Sequence, residues 1–335
     1  MSSHQTRPLV GISISHSPGL TTQGLDQNQL QEAVTRVARL LLRNDYNLAY
    51  GGDLRPGGYT EQLFGLCRDT HTAKFGDDDR WERRLTGYLA WPNYLELDDQ
   101  QRHNLAGRCR LVRVTPKDAA FTDLPEDLPR DDAGGVEDAF RAARCLSRMR
   151  EVMTTGGVAD EQGERLPPLA ARVLMGGKTS GFQGLMPGIF EEVLLALEQP
   201  EQISLYVLGG FGGAAGLLAD ALLGEPGEDQ ALLGLEGQQA RDPGLTALVA
   251  RYQQTGFSAA DLPAGRYKAL QQALSGAVQQ LDDLGDNDSW PALQNGLTVA
   301  ENRELMRSRD LAQIEALLLT GLQRRTLAAK EDGLS

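Results

Sequence analysis

The sequence has few of the residues that build disulfide frameworks and metal centres. Its 335 residues include only three cysteines, which are far apart: Cys67, Cys109 and Cys145. Such an odd and scattered set supports neither a disulfide framework nor a zinc site of the Cys-x-x-Cys type, and it favours a reducing setting. None of the four histidines belongs to a His-Glu-x-x-His pair. We therefore expect no bound metal.

Long apolar stretches and an excess of basic charge are missing as well. No segment reaches the roughly 20 apolar residues that cross a bilayer, and the N-terminus lacks the pattern of a signal peptide. The 33 lysines and arginines are outnumbered by 46 aspartates and glutamates, which leaves a formal charge of -13. This acidity disfavours nonspecific binding to nucleic acid or anionic lipid. The sequence predicts a soluble cytoplasmic protein with no nucleic-acid partner and no membrane partner.

Glycine, by contrast, is abundant, with 38 residues, many of them in three short clusters. Each cluster follows a strand-like segment and precedes a helical pattern. The predicted strands are residues 9–15, 47–50, 110–114, 171–175 and 203–208. Parallel strands need crossover connections that cover both faces of the sheet. The alternation therefore predicts an α/β fold, Rossmann-like and doubly wound, with a mostly parallel sheet and a C-terminal helical extension.

Two units are predicted along the chain. Residues 1–225 form the nucleotide-binding core, and residues 226–335 form a helical extension packed on the core or on a partner subunit. The stretch from His71 to Gln101 shows no clear pattern and is assigned no strand. On the helix predicted from Val136 to Met153, four arginines are expected to point largely outward: Arg141, Arg144, Arg148 and Arg150.

The three glycine clusters are expected at the carboxyl ends of the strands, where a doubly wound sheet binds its ligand. Glycine lets the backbone approach a ligand, and the helix that follows presents unpaired amides to negative charge. A nucleotide or a phosphorylated sugar fits such a crevice; alternatively, the glycines serve only sharp turns and close packing. The candidate ligand-binding residues are Ser13, Ser15, Gly51, Gly52, Asp53, Arg55, Gly176, Gly177, Lys178, Gly209, Gly210, Phe211, Gly212 and Gly213.

Each polar candidate has a functional and a structural interpretation. Asp53 is suited to hold ribose hydroxyls and Arg55 to hold phosphate, or the two form a salt bridge that shapes their loop. The Lys178 ammonium group contacts a phosphate group of the ligand, or it points to solvent. The serines bond phosphate or ribose, or cap a turn. Of the two adjacent carboxylates Glu191 and Glu192, one is expected to face the crevice and at least one to lie on the surface.

Several common catalytic motifs do not fit. A Walker A motif needs a glycine where this chain has Arg172, five residues before Gly177, so a phosphate-cleaving P-loop enzyme is disfavoured. Neither of the two later glycine clusters reads Gly-x-Gly-x-x-Gly, so the sequence gives little support to an ordinary dinucleotide-binding dehydrogenase. The sequence contains no Gly-x-Ser-x-Gly elbow, so it gives no support to a serine hydrolase.

The glycine segments at 48–58, 173–177, 186–189 and 205–215 carry a family resemblance. They read Leu-Ala-Tyr-Gly-Gly-Asp-Leu-Arg-Pro-Gly-Gly, Val-Leu-Met-Gly-Gly, Met-Pro-Gly-Ile and Leu-Tyr-Val-Leu-Gly-Gly-Phe-Gly-Gly-Ala-Ala. With these segments the chain resembles the SLOG superfamily, which includes the Lonely Guy hydrolases, DNA-processing protein A and ligand-sensing domains of TRPM channels and bacterial antiphage systems. It is most similar to the prokaryotic branch linked to TIR and sirtuin-like immune genes.

The resemblance implies binding of a nucleotide or an NAD-derived ligand, such as ADP-ribose or a cyclic relative, with no tightly bound cofactor. It also implies a homo-oligomer and a TIR-domain or other effector as partner. Hydrolase members carry Pro-Gly-Gly-x-Gly-Thr-x-x-Glu, and residues 208–216 keep the glycines but lack the threonine and glutamate.

This departure favours a sensor in bacterial defence or stress signalling. One alternative is a hydrolase of nucleotide N-glycosidic bonds, with Asp53, Glu191 or Glu192 as its carboxylate. The other is an assembly component of a defence complex.

Overall fold

The computed structural model describes residues 7–15, 20–21, 24–52, 58–75, 83–106, 109–130, 135–199, 203–225 and 227–331. In these residues one six-stranded sheet is formed, and every neighbouring pair of strands is parallel. The strands are β1 (Leu9–Ser15), β2 (Asn47–Gly51), β3 (Leu85–Ala90), β4 (Arg110–Val114), β5 (Leu169–Gly176) and β6 (Ser204–Leu208). Their order across the sheet is β4-β3-β2-β1-β5-β6. The predicted α/β, Rossmann-like, doubly wound architecture is confirmed.

Helices connect the strands and then continue beyond β6. The connecting helices are α1 (Gln27–Arg43), α2 (Tyr59–Phe75), α3 (Asp99–Ala106), α4 (Val136–Thr155) and α5 (Gly188–Leu197). The helices that follow β6 are α6 (Gly213–Leu222), α7 (Leu235–Arg241), α8 (Pro243–Gln253), α9 (Pro263–Leu281), α10 (Val299–Arg307) and α11 (Leu311–Glu331). The crossovers bury both faces of the sheet, as parallel strands require.

The five predicted strands are all present, but β3 is not predicted by the sequence pattern. All six of its residues are buried, so the strand has no alternation of polar and apolar side chains. Gly87 in its centre and the polar residues before it weaken the signal further. β3 thus lies inside the stretch that the sequence left unassigned.

The helices after β6 pack directly onto the sheet unit. α9 contacts α5 and α6 and buries Leu270 and Leu274, while α11 contacts α1 and buries Ile314 and Leu318. The capping box at the start of α10 is confirmed: Thr298 Oγ1 accepts from the Glu301 amide at 3.2 Å, and the Glu301 carboxylate accepts from the Thr298 amide at 2.8 Å. These helices therefore share hydrophobic core with the strands.

The three cysteines are buried thiols, which leads to a first testable prediction. Burial raises the pKa of Cys67, Cys109 and Cys145 to about 12. Because only the thiolate reacts, all three should stay unmodified by iodoacetamide at pH 8 in the folded protein and react after denaturation in urea. Mass spectrometry counts the adducts. Rapid labelling of any of the three in the folded protein would contradict this placement.

Candidate functional site

A cleft opens where the chain changes its direction of travel across the sheet. β1 lies between β2 and β5, so successive crossovers run to opposite sides of β1. At such a switch point the loops at the carboxyl ends of the strands separate and leave room for a ligand. The cleft has a volume of about 470 Å³, and its walls include the ends of β1 and β2, the loop after β5, the start of α5 and one face of α4.

The loop after β5 is held against the end of β1. The Gly177 amide donates to the Ser15 carbonyl oxygen at 3.2 Å, and the Lys178 amide donates to Ser15 Oγ at 3.1 Å. Gly177 has a φ of +96°, and a Cβ at this position would lie 2.5 Å from Ile189 Cδ1. Glycine is therefore required at position 177. The bend that it allows brings the Lys178 side chain to the wall of the cleft.

The loop after β2 lines the same cleft through Gly51 and Gly52. Beside them lie Asn93 and Glu96, from a short 3₁₀ turn that follows β3. Two predicted ligand-binding residues of this loop, Asp53 and Arg55, lie outside the described residues, so their roles stay predictions.

Arg150 of α4 lies in the cleft against the first turn of α5. Its Nη1 donates to Glu191 Oε2 at 2.6 Å, and a Cβ on Gly188 would lie 2.8 Å from its Nη2. Its Nε is buried and makes no hydrogen bond with the described part of the chain; Glu192 Oε1 is 3.9 Å away. A buried donor that lacks a partner, next to the amides of a helix N-terminus, is suited to bind an anion.

Arg172 of β5 lies beneath the cleft and is fully buried. Its Nη1 donates to Ser13 Oγ at 3.0 Å and lies 3.1 Å from Glu192 Oε2, while its Nη2 donates to Thr154 Oγ1 at 2.9 Å. Burial lowers the pKa of the Arg172 guanidinium, and the Glu192 carboxylate acts in the opposite direction. Ser13 and Thr154 satisfy part of the guanidinium, whereas Arg172 Nε and Glu192 Oε2 are buried with no hydrogen-bond partner among the described residues.

The charges around the cleft floor balance one another. Two arginines, Arg150 and Arg172, are paired with two glutamates, Glu191 and Glu192. The floor therefore carries no net charge when all four groups are ionised. Attraction for a phosphate group must come from backbone amides at the start of α5, from the Lys178 side chain and from Arg150 Nε, which has no hydrogen-bond partner among the described residues.

Two expectations about these charged residues are wrong. Arg150 does not point outward; it is 7% exposed because α5 packs over that side of α4. Neither Glu191 nor Glu192 lies on the surface, since the two are 2% and 8% exposed. Glu192 lines the cleft, whereas Glu191 lines a separate cavity that also includes Tyr252.

The third glycine cluster is placed differently from the expectation. The cleft wall includes none of Gly209, Gly210, Phe211, Gly212 and Gly213, all of which belong to the described part of the chain. A Cβ on Gly209 would lie 2.6 Å from the Met306 carbonyl oxygen, and one on Gly210 would collide with the Ser308 carbonyl oxygen. Phe211 is buried. The described structure therefore does not bring this cluster to the wall of the cleft, and at Gly209 and Gly210 glycine serves close packing. Ligand binding by the cluster stays a prediction.

Sequence reasoning missed several residues that the structure brings to the cleft, above all Arg150 and Arg172. Arg172 does leave a signal, because it stands inside the apolar segment Ala171–Met175. An arginine within a buried strand is rare unless it is paired. Arg150 leaves no such signal, since its neighbours on α4 are also arginines and glutamate.

The described residues contain neither a metal site nor a membrane-spanning helix. Among them, no three or more histidine, cysteine, aspartate or glutamate side chains are grouped so as to hold a metal ion. The same residues include no helix with the length and apolar character needed to cross a membrane.

Comparison with known proteins gives one family. The model of the family described as SLOG cluster2 matches residues 5–305. The match covers most of the chain and continues past residue 225 into the helices that follow β6. A comparison with curated proteins finds no significant match.

Proposed function

The chain belongs to the SLOG cluster2 family, and on this premise we propose that the switch-point cleft binds a nucleotide or an NAD-derived ligand such as ADP-ribose or a cyclic relative. One observation carries the proposal: the end of β1, the loop that follows Gly177 and the N-terminus of α5 meet in one cleft, where Lys178 adds positive charge and Arg150 Nε is a donor without a hydrogen-bond partner among the described residues. Backbone amides and cationic groups of this kind recognise phosphate.

A binding role is favoured over catalysis because the cleft carboxylate Glu192 is already paired with arginines. Glu192 is held by Arg172 at 3.1 Å and has Arg150 at 3.9 Å. This carboxylate is thus engaged in ion pairs with two arginines of the chain itself, which favours a structural role for it over a role on a substrate. We therefore propose a sensor, acting in bacterial defence or stress signalling, with an effector protein such as a TIR-domain protein as its partner.

Hydrolysis of a nucleotide N-glycosidic bond is the second candidate, since Glu192 and Glu96 both line the cleft. Such a reaction needs a carboxylate near the sugar to stabilise the oxocarbenium-like transition state and to activate water. Incubation with NAD, ADP-ribose and AMP, followed by chromatography, separates the two functions. Turnover supports the hydrolase; saturable thermal stabilisation without turnover supports the sensor.

The binding site itself is tested by reversing one charge. Lys178→Glu should weaken the binding of ADP-ribose and AMP by about tenfold or more, because it replaces attraction for phosphate with repulsion. Lys268→Glu, at an exposed position on α9, makes the same change in net charge and should leave affinity unchanged. Isothermal titration calorimetry measures both. Equal affinities for the two variants would contradict binding in the cleft.

A further inference from the structure

A second cavity adjoins the cleft on the side of α8. Its volume is about 290 Å³, and it shares Phe182 and Gln183 with the cleft. Trp91 and Pro92, the first turns of α4 and the start of α8 form its other walls. We call this space the side cavity. Only the loop that carries Phe182 separates it from the cleft.

The two spaces run along one face of α4. Ala139 and Ala142 line the side cavity, and Leu146 and Met149 line the cleft. Residues spaced three or four apart stand on the same face of a helix. The opposite wall is also continuous, since Trp91 and Pro92 of the side cavity are followed directly by Asn93 of the cleft. The small side chains at 139 and 142 leave the side cavity open.

The two spaces differ in chemistry. Phe182, Leu245 and Leu248 give the side cavity apolar walls, and Phe182 packs against the cluster that contains the two leucines. Its charged lining residues are two carboxylates, Asp138 and Asp242, and one guanidinium, Arg130. The cleft presents the amides at the start of α5 and two cationic side chains, Lys178 and Arg150, beside the carboxylates Glu96 and Glu192. Phosphate is thus favoured in the cleft, and a flat apolar group is favoured in the side cavity.

We propose that the side cavity holds the base of the ligand, stacked against Phe182, while its ribose and phosphate groups lie in the cleft. This assignment rests on the nucleotide-binding function proposed above. It makes the side cavity the part of the site that distinguishes a nucleotide from a sugar phosphate. Phe182 is half-buried: it packs against the cluster that contains Leu245 and Leu248, and it lines both the side cavity and the cleft.

The test compares AMP with ribose 5-phosphate, which has the same sugar and phosphate but no base. Ala139→Leu fills the side cavity from an exposed position on α4. It should weaken AMP binding by about tenfold and leave ribose 5-phosphate binding within about twofold, as expected for the loss of one stacked base. Phe182→Ala should have the same selective effect. Ala300→Leu, at an exposed position of α10, is the matched control and should change neither affinity.

The outcomes separate the two proposals. If the wild-type protein binds neither AMP, ADP-ribose nor ribose 5-phosphate by calorimetry, the proposed function fails and this inference fails with it. If nucleotides bind and Lys178→Glu weakens them, but Ala139→Leu and Phe182→Ala bind AMP like the wild type, only the inference fails. An equal loss of both ligands in Ala139→Leu would also overturn it, because the base would then not be what the side cavity holds.

Discussion

Replacing Arg172 with alanine is expected to lower the free energy of unfolding by about 3–5 kcal/mol, the usual effect of removing one partner of a buried ion pair. The guanidinium is fully buried and pairs with Glu192 at 3.1 Å. Its loss leaves the Glu192 carboxylate with Arg150 alone, at 3.9 Å. Thr154 Oγ1 and Ser13 Oγ lose a charged donor at the same time. The loss of stability comes mainly from the Glu192 carboxylate, which stays buried after its main partner has been removed.

Urea denaturation followed by circular dichroism measures this change. Arg148→Ala is the control on α4, because Arg148 pairs with Glu151 at the surface and should cost no more than about 0.5 kcal/mol. Replacing Arg172 and Glu192 together with methionine should recover part of the lost stability, since both charges are then removed. A loss below about 1 kcal/mol in Arg172→Ala would show that Glu192 does not depend on this arginine.

Gly210→Ala is expected to destabilise the protein by about 2–3 kcal/mol, the scale of overpacking in a tightly packed site. A methyl group at this position would collide with the Ser308 carbonyl oxygen and lie 2.9 Å from that of Arg307. Both obstacles are backbone atoms, which cannot move aside by changing rotamer. Relief requires the turn after α10 to shift away from the sheet.

Gly276→Ala is the matched control, because Gly276 lies within α9 and a Cβ there has no atom within 4 Å. Alanine is the better helix former, so the free energy of unfolding of this variant should rise by about 1 kcal/mol. Thermal unfolding of the two variants beside the wild type shows the opposite shifts. If Gly210→Ala is as stable as the wild type, the contact with Ser308 is not part of the folded protein.

The sheet was predictable wherever local patterns were strong. The apolar run of β1 and the periodic leucines and valines of α1 identify these two elements from sequence alone. β3 escaped because Thr86 and Gly87 interrupt its apolar run, so that it lacks the continuous apolar pattern by which a fully buried strand is recognised. Its identity is decided by its parallel neighbours β2 and β4, which are contacts that no local window contains.

The site was predictable only in part, for a related reason. Glycine looks the same in a sequence whether it admits a ligand or another segment of the chain. At Gly177 the bend serves the cleft, whereas at Gly210 the neighbour is Ser308, almost a hundred residues later. Arg150 was placed on the wrong side of α4 because its buried partner, Glu191, belongs to another helix. Tertiary partners decide both cases.

The packing of the third glycine cluster also ties it to the last helix. Ser308 covers Gly210, Arg309 Nε donates to the Gly210 carbonyl oxygen at 2.9 Å, and α11 begins at Leu311. Any side chain at position 210 would have to displace the turn between α10 and α11. A substitution at the end of β6 would therefore be transmitted through Ser308 to the start of the last helix.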